Sequence, residues 1–500
     1  MPKTARAQYL GSHKNEFLQT TFCDMFRTTV EMYPDKIAVS GTHGVFTYKE
    51  LNEKSNTLAA SLLKDGLKDG EIVGVRAGQS VWSVVCMLGI WKAGGAYVYI
   101  DSTHPLKRQN QIINECACRF ILDEKYLSAL DWTKDTEFIN HSCLEKLALL
   151  IYTSGSTSSP KGVMLSHMNV MSSISNFDRF GLTEEDVYGI FPSFSFVASV
   201  FDLYSSLAVG ASIYIIPKLI RKSVSELLRY YIENKITVTF LPPHMAAKFS
   251  NIENGETDLR LMIVGSEMAR NLKRKSYRLF NVYGASEMTA MISRYDIEDA
   301  EASYPVGTLN PTIKGYIVDD DGHRVEDGEK GELWLASRQV SMGYYKDEVR
   351  TNQHFIKNPF SDEPGYDRVF KTSDIVRKNE DGDLEYIGRK DFMYKIRGFR
   401  VEAGAVETAM RTCDKIRDCA AIAFKDKGGT YILCGYFEAD EPLDVKEIKA
   451  YLKERLPYYM VPTALFQVDE LPRNLNNKVD RKAIKPPKEL DDHKLLEKLY

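Results

Sequence analysis

The segment Leu149-Leu-Ile-Tyr-Thr-Ser-Gly-Ser-Thr-Ser-Ser-Pro-Lys-Gly-Val163 carries a dense set of groups able to hold an anion. An apolar run leads into seven small or hydroxylated residues, Thr153 to Ser159, and then into Pro160 and Lys161. Such a loop can wrap an anion with backbone N–H groups and hydroxyls while Lys161 supplies positive charge. It is not a Walker loop, because Gly155 is followed by Pro160-Lys161-Gly162 rather than by Gly-Lys-Ser/Thr. Taken alone, the same residues also suit a surface turn. A second stretch, Asn281-Val-Tyr-Gly-Ala-Ser-Glu287, offers an aromatic face, a glycine permitting close approach, a hydroxyl and a hard oxygen ligand. By itself it could be a plain β-turn.

These groups need a scaffold, and the hydrophobic pattern supplies one. Thr47 begins a helical pattern with Leu51, Leu58, Ala59 and Leu62 on one face. Glu71 to Arg76 reads as a strand, Val81 to Ala93 as a helix and Ala96 to Ile100 as a strand. The same alternation recurs in Tyr188-Gly-Ile-Phe, Ser212 to Ile216 and Thr237 to Leu241, which predicts parallel sheets covered by helices, an α/β fold. From about residue 300 short strands alternate with acidic turns: Gly315 to Val318, Asp319-Asp-Asp-Gly, Gly331 to Leu335. A second hairpin places Asn379-Glu-Asp-Gly-Asp383 between Asp374 to Arg377 and Leu384 to Ile387, so a smaller β-rich lobe is expected. A charged junction follows Arg389, and the expected domains are 1–390, a compact α+β domain at 391–487, and a tail at 488–500.

The whole chain narrows the class of function. A length of 500 residues asks for at least two cores, and 44% hydrophobic with 27% charged residues is ordinary for a globular protein. A net charge of -4, with no basic run interleaved with aromatics, gives no reason to expect nucleic acid or a membrane as partner. The start, Met1 to Glu16, has no apolar core of a signal peptide, and Val84 to Trp91 is too short to span a bilayer, so a cytoplasmic protein is expected. Cysteines 23, 86, 116, 118, 143, 413, 419 and 434 are scattered, and Cys116 and Cys118 are too close for an ordinary zinc half-site. Free, mostly buried thiols are expected.

With these motifs in order, the chain resembles the adenylate-forming superfamily: acyl-CoA synthetases, firefly-type luciferases and adenylation domains of non-ribosomal peptide synthetases. The loop from Tyr152 to Gly162 matches the family's except for Ser158 in place of a second glycine. Trp91-Lys-Ala-Gly-Gly-Ala-Tyr-Val98, with Asp101 and Pro105, is similar to its early structural motif, and Gly331-Glu-Leu-Trp-Leu with Gly343-Tyr-Tyr to a later one.

The resemblance implies a site for ATP. Thr153, Ser154, Gly155, Ser156, Thr157 and Lys161 would hold its phosphates. The segment Asn281, Val282, Tyr283, Gly284, Ala285 and Ser286 would hold adenine and the α-phosphate, with Tyr283 stacking on the base and Glu287 holding Mg²⁺. Asp374 would clamp the ribose hydroxyls in Phe370-Lys-Thr-Ser-Asp374, where the family has glycine before the acid. Tyr386 and Arg389 would reach the same nucleotide.

Asp391 to Glu402 resembles the hinge and the loop after it, with Asp391 absorbing the rotation and Gly398 lining the thiol tunnel. Leu471 to Arg481 resembles the motif of the adenylation lysine, here Lys478 after Asn477.

The acid pocket departs from the amino-acid-activating pattern Phe-Asp-x-Ser-Val, since Phe196 is followed by Val197 and Ala198. A buried ammonium without its carboxylate costs several kcal/mol, enough to reject an α-amino acid. The other carried-over positions, Phe201, Phe240, Met262, Val264, Val282, Ala290 and Met291, are apolar. The expected substrate is therefore an α-keto, aryl or fatty acid, and the expected acceptor the phosphopantetheine arm of a carrier protein. An acyl-CoA synthetase, an amino-acid-activating domain and an idle ligand-binding scaffold stay open as alternatives. No carrier domain follows Pro487, so the chain is expected to be a stand-alone enzyme or an excised domain.

Overall fold

A computed structural model of the chain describes residues 6–12, 17–133, 136–153, 161–252, 257–267, 269–270, 272–273, 275–301, 303–390, 393–426, 431–473 and 479–487. Their contacts divide the chain into two compact units. One comprises Met1–Asp101, Ile113–Ile151 and Gly162–Gly388, the other Ser102–Ile112, Tyr152–Lys161 and Arg389–Tyr500. The chain thus passes between units at Gly388 to Arg389, and two earlier segments expected in the large domain group with the second unit.

The first unit is built as the pattern predicts. Thr47 caps the helix Tyr48–Lys64 through a capping box with Glu50, and Leu51, Leu58, Ala59 and Leu62 are buried. The helix Val81–Lys92 is apolar all round and almost wholly buried, as a core helix must be. Its one charge, Lys92, is accommodated by four oxygens of the neighbouring helix: Asn52 O at 3.1 Å, Asn52 Oδ1 and Ser55 Oγ at 2.7 Å, and Asn56 Oδ1 at 2.6 Å.

Three sheets organise this unit. A nine-stranded sheet runs in the order Thr308–Leu309, Ala290–Ile297, Arg278–Ala285, Leu261–Gly265, Val238–Leu241, Val187–Ile190, Ser212–Ile215, Ile37–Gly41, Gly44–Thr47. Its middle strands are parallel and both edges antiparallel. A six-stranded sheet runs Gly343–Tyr344, Lys161–Ser166, Leu147–Thr153, Ala96–Tyr99, Ile72–Val75, Ile121–Leu122. The β-rich lobe is a third sheet of Lys314–Val318, Gly331–Ala336, Arg368–Lys378 and Phe355–Lys357, with Leu384–Arg389 paired onto Arg368–Lys378.

The second unit carries the hairpin Met393–Ile396/Phe399–Glu402 and a sheet of Asp418–Lys425, Tyr431–Glu438 and Ala464–Gln467. Helices Ala403–Arg411 and Val445–Lys453 pack on it around Val401, Val406, Met410, Leu433, Phe437 and Leu452. Among the described residues no helix is long and apolar enough to cross a membrane.

Candidate active site

In the first unit, strands Arg278–Ala285 and Ala290–Ile297 are antiparallel and joined by a 3₁₀ turn, Ser286–Met288. A Cβ at Gly284 would lie 2.5 Å from Ala290 O, so only glycine fits where the two strands close on each other. Past the turn, Thr289 and Ala290 both take left-handed backbone, at φ 51° and 80°. That strain is held by Thr289 Oγ1 donating to Gln339 O at 2.9 Å and Ser173 Oγ donating to Thr289 O at 2.5 Å. Strained backbone so anchored presents the intervening Ser286 and Glu287 in a fixed pose.

Tyr283, buried on the first of these strands, donates its hydroxyl to Oδ2 of Asp374. Asp374 is only 4% exposed, and a bulge aims it. Strand pairing skips between Glu332 and Trp334, leaving Thr372 to Asp374 opposite the gap. There Ser373 adopts φ 61° with its N–H on Glu332 Oε1 at 3.0 Å, and the Asp374 N–H bonds Thr372 Oγ1 at 3.0 Å. Serine thus occupies the left-handed position where the family resemblance leads one to expect glycine.

Glu287 is fully buried, and its Oε1 accepts the Tyr344 hydroxyl at 2.9 Å. Tyr344 in turn pairs with Val163 on the strand that Lys161 opens. A buried carboxylate met by a neutral hydroxyl is a hard-oxygen donor of the kind Mg²⁺ takes. Asn281 is buried, its amide donating to Pro305 O at 2.7 Å. Val282 is buried and Ala285 and Ser286 half-buried, while Tyr386 and Arg389 are half-buried on the strand Leu384–Arg389, which pairs beside Asp374's strand.

The second unit holds the two ends of the hydroxyl loop. Thr153 closes the strand Leu147–Thr153 with a buried hydroxyl that has no hydrogen-bond partner among the described residues. Such an orphaned donor fits a ligand oxygen. Lys161 Nζ lies 3.2 Å from Glu402 Oε1, both side chains buried, and Arg400 Nη2 lies 3.4 Å from the same oxygen. Gly398, at φ 82°, forms with Arg397, at φ 51°, the two-residue turn between Ile396 and Phe399. Ser154, Gly155, Ser156, Thr157, Asp391 and Lys478 lie outside the described residues.

The apolar pocket candidates do not all come together. Val197, Ala198, Phe201, Phe240, Val282, Ala290 and Met291 share one buried cluster, with Phe196 half-buried against it. Met262 and Val264 lie in a separate cluster with Tyr231, Met245 and Phe249. The reason is the two-residue period of a strand. Phe240 pairs with Ile263 and Val282 with Gly265, so Ile263 and Gly265 share the Phe240 face and their neighbours Met262 and Val264 point away.

Val197 directly precedes the helix Ala198–Val209, whose sole acid is Asp202. Asp202 is completely buried, accepts the Tyr188 hydroxyl at 2.6 Å and leaves Oδ2 unpartnered; burial raises its pKa to about 8. It is thus neutral and no ready counter-ion for an ammonium. Asp101, noted in the sequence only as part of a structural motif, accepts Ser193 Oγ at 2.6 Å and Ser195 Oγ at 3.3 Å, bracing the segment that leads into Phe196.

Comparison with known proteins adds to this geometry. The family model described as AMP-binding enzyme matches residues 26–345, and that of the AMP-binding enzyme C-terminal domain matches residues 405–478. Surfactin synthase subunit 2 of Bacillus subtilis (strain 168) is 33% identical over 489 residues, covering 93% of this chain; the chain spans 14% of that relative's length. The artificially fused adenylation–PCP di-domain NpsA-ThdA from Klebsiella oxytoca aligns with a TM-score of 0.79 at 22% identity, covering 89% of this chain and 93% of that one. An o-succinylbenzoate CoA synthetase from Bacillus subtilis, bound to a product analogue, aligns with a TM-score of 0.79 at 20% identity, covering 92% and 97%. The fold is therefore common to both kinds of protein.

Proposed function

This chain belongs to the AMP-binding enzyme family and is an adenylate-forming ligase, and on that premise we propose that it activates an apolar, amine-free carboxylic acid and passes the acyl group to a phosphopantetheine thiol. The observation that carries the substrate reading is Val197, buried in the same apolar cluster as Ala198, Phe201, Phe240 and Val282, while Asp202, the acid of the following helix, is engaged by Tyr188 and held toward its neutral form by burial. An ammonium at this position would meet the Val197 side chain where the amino-acid-activating pattern has a carboxylate, and losing that pairing costs several kcal/mol. The likeness to a synthase subunit supports a carrier-protein thiol over free CoA as acceptor.

The chemistry follows from charge. A carboxylate is repelled by phosphate, so the enzyme must hold its oxygen in line behind the α-phosphorus of ATP and offset the charge that develops. Tyr283 and Asp374 grip the nucleoside, the ring on the base and the carboxylate on the ribose hydroxyls. Thr153 and Lys161 orient the leaving pyrophosphate, and Lys478 bridges the attacking carboxylate and the α-phosphate oxygens. Glu287 would hold Mg²⁺, which supplies Lewis-acid neutralisation of phosphate charge. The carboxylate oxygen bonds phosphorus, the bridging P–O bond breaks, and acyl-AMP and pyrophosphate result. A turn of the chain at Asp391 then removes Lys478 and admits the thiol past Gly398.

Lys478→Ala separates these steps. Acid-dependent ATP–pyrophosphate exchange should be largely lost while thioester formation from supplied acyl-AMP survives. Equal loss of both half-reactions contradicts the role given to Lys478.

A further inference from the structure

The helix Leu106–Glu115 ends in a turn that carries two cysteines, Cys116 and Cys118. Cys118 N–H donates to Ile113 O at 3.0 Å and Ala117 N–H to Asn114 O at 3.1 Å, while Ala117 sits at φ 50°. These are the paired hydrogen bonds of a Schellman termination, with Cys116 and Cys118 flanking its left-handed residue. A residue other than glycine there costs about 1 kcal/mol, so the turn needs support from outside.

That support comes from both sides. Lys346 Nζ donates to Glu115 O at 2.6 Å, at the end of the helix. On the other side Gly74 N–H bonds Phe120 O at 3.0 Å, and the strand Ile121–Leu122 pairs in parallel with Ile72–Val75. Arg119 adds bonds to Glu71 Oε1 at 2.9 Å, Glu71 Oε2 at 2.8 Å and Gly66 O at 2.6 Å. Within this clasp the Cys118 thiol is hydrogen-bonded to Cys116, and that bond, ahead of burial, raises its pKa. Cys116 is buried at 4% exposure, whereas Cys118 is partly exposed. The adenylation chemistry uses neither.

We propose that Cys116 and Cys118 form a vicinal dithiol that closes to an intramolecular disulfide when it meets a low-molecular-weight disulfide. The left-handed central residue separates the two cysteines by a single position, and the hydrogen bond between their thiols brings the two sulfurs together, as a disulfide requires. Cys118, the more exposed of the two, must first give up the proton that its bond to Cys116 and burial retain, so closure speeds up with rising pH; its sulfur then attacks one sulfur of the reagent, forming a mixed disulfide and expelling one thiolate. The Cys116 thiolate then attacks Cys118 Sγ and expels the second. The protein loses two protons and two electrons, and the reagent is reduced to two thiols.

The test exposes the full chain to oxidised glutathione and maps its peptides without reduction by mass spectrometry. The expected result is that the peptide holding both cysteines loses two hydrogens and carries no glutathione, so two of the eight thiols disappear. Cys143, whose thiol bonds Glu145 at 2.9 Å, is the reference; with no second cysteine in its turn it should keep any glutathione it takes. Cys116→Ser should trap glutathione on Cys118, and Cys118→Ser, at the more exposed position, should abolish the internal bond. Glutathione retained on wild-type Cys118, or both thiols left free while Cys143 reacts, overturns the proposal.

Discussion

The Tyr283 hydroxyl donates to Asp374 Oδ2, fixing a residue of the nine-stranded sheet to one of the β-rich lobe. The side chains read as base and ribose contacts are therefore positioned by each other. Asp374→Ala removes both the proposed diol acceptor and the carboxylate that accepts the Tyr283 hydroxyl. It should raise KM for ATP by roughly 5- to 150-fold, about 1–3 kcal/mol, in pyrophosphate-exchange kinetics. Tyr283→Phe keeps the ring and should cost less than Asp374→Ala.

Ser373 adopts φ 61° immediately before Asp374. A residue with a Cβ is disfavoured there by about 1–2 kcal/mol relative to glycine. Ser373→Gly should therefore raise the urea midpoint, less the small entropic cost of a more flexible unfolded chain. An unchanged or lowered midpoint would show that the serine side chain contributes more than the strain.

Asp202 makes stability pH-dependent. Its native pKa of about 8 lies above the unfolded value of 3.8, so unfolding releases a proton between those values. Its contribution is complete below about pH 4 and is lost as pH rises toward 8, at up to about 1.4 kcal/mol per pH unit. Asp202→Asn keeps an acceptor for Tyr188 and cannot ionise. The difference in unfolding free energy between wild type and variant, followed by urea titration from pH 5 to 8, should shift in the variant's favour as pH rises. A difference independent of pH contradicts the neutral Asp202.

Much of this was legible in the sequence, because period and turn chemistry act locally. The helix capped by Thr47, the parallel strands and the hairpin around Asn379 to Asp383 follow from spacing alone. Register is not local. Whether Met262 or Ile263 faces Phe240 depends on how two strands align across the sheet, and a one-residue slip reverses the answer. The bulge that aims Asp374, the Tyr344 bond to Glu287 and the clasp around Cys116 and Cys118 join residues far apart in the chain, where no spacing rule reaches.

Restoring an acid at the head of the helix Ala198–Val209 tests the pocket directly. Val197→Asp should move acid-dependent exchange toward α-amino acids and reduce activity with the amine-free acid by at least tenfold, the signature of a desolvated carboxylate beside an uncharged substrate. Unaltered preference would place Val197 outside the pocket.

The most direct measurement compares leucine with its α-keto analogue, 4-methyl-2-oxopentanoate, in ATP–pyrophosphate exchange by the wild-type chain. The two acids share a side chain and differ at the α-carbon. The account predicts exchange with the keto acid and little or none with leucine. Clear preference for leucine would contradict it.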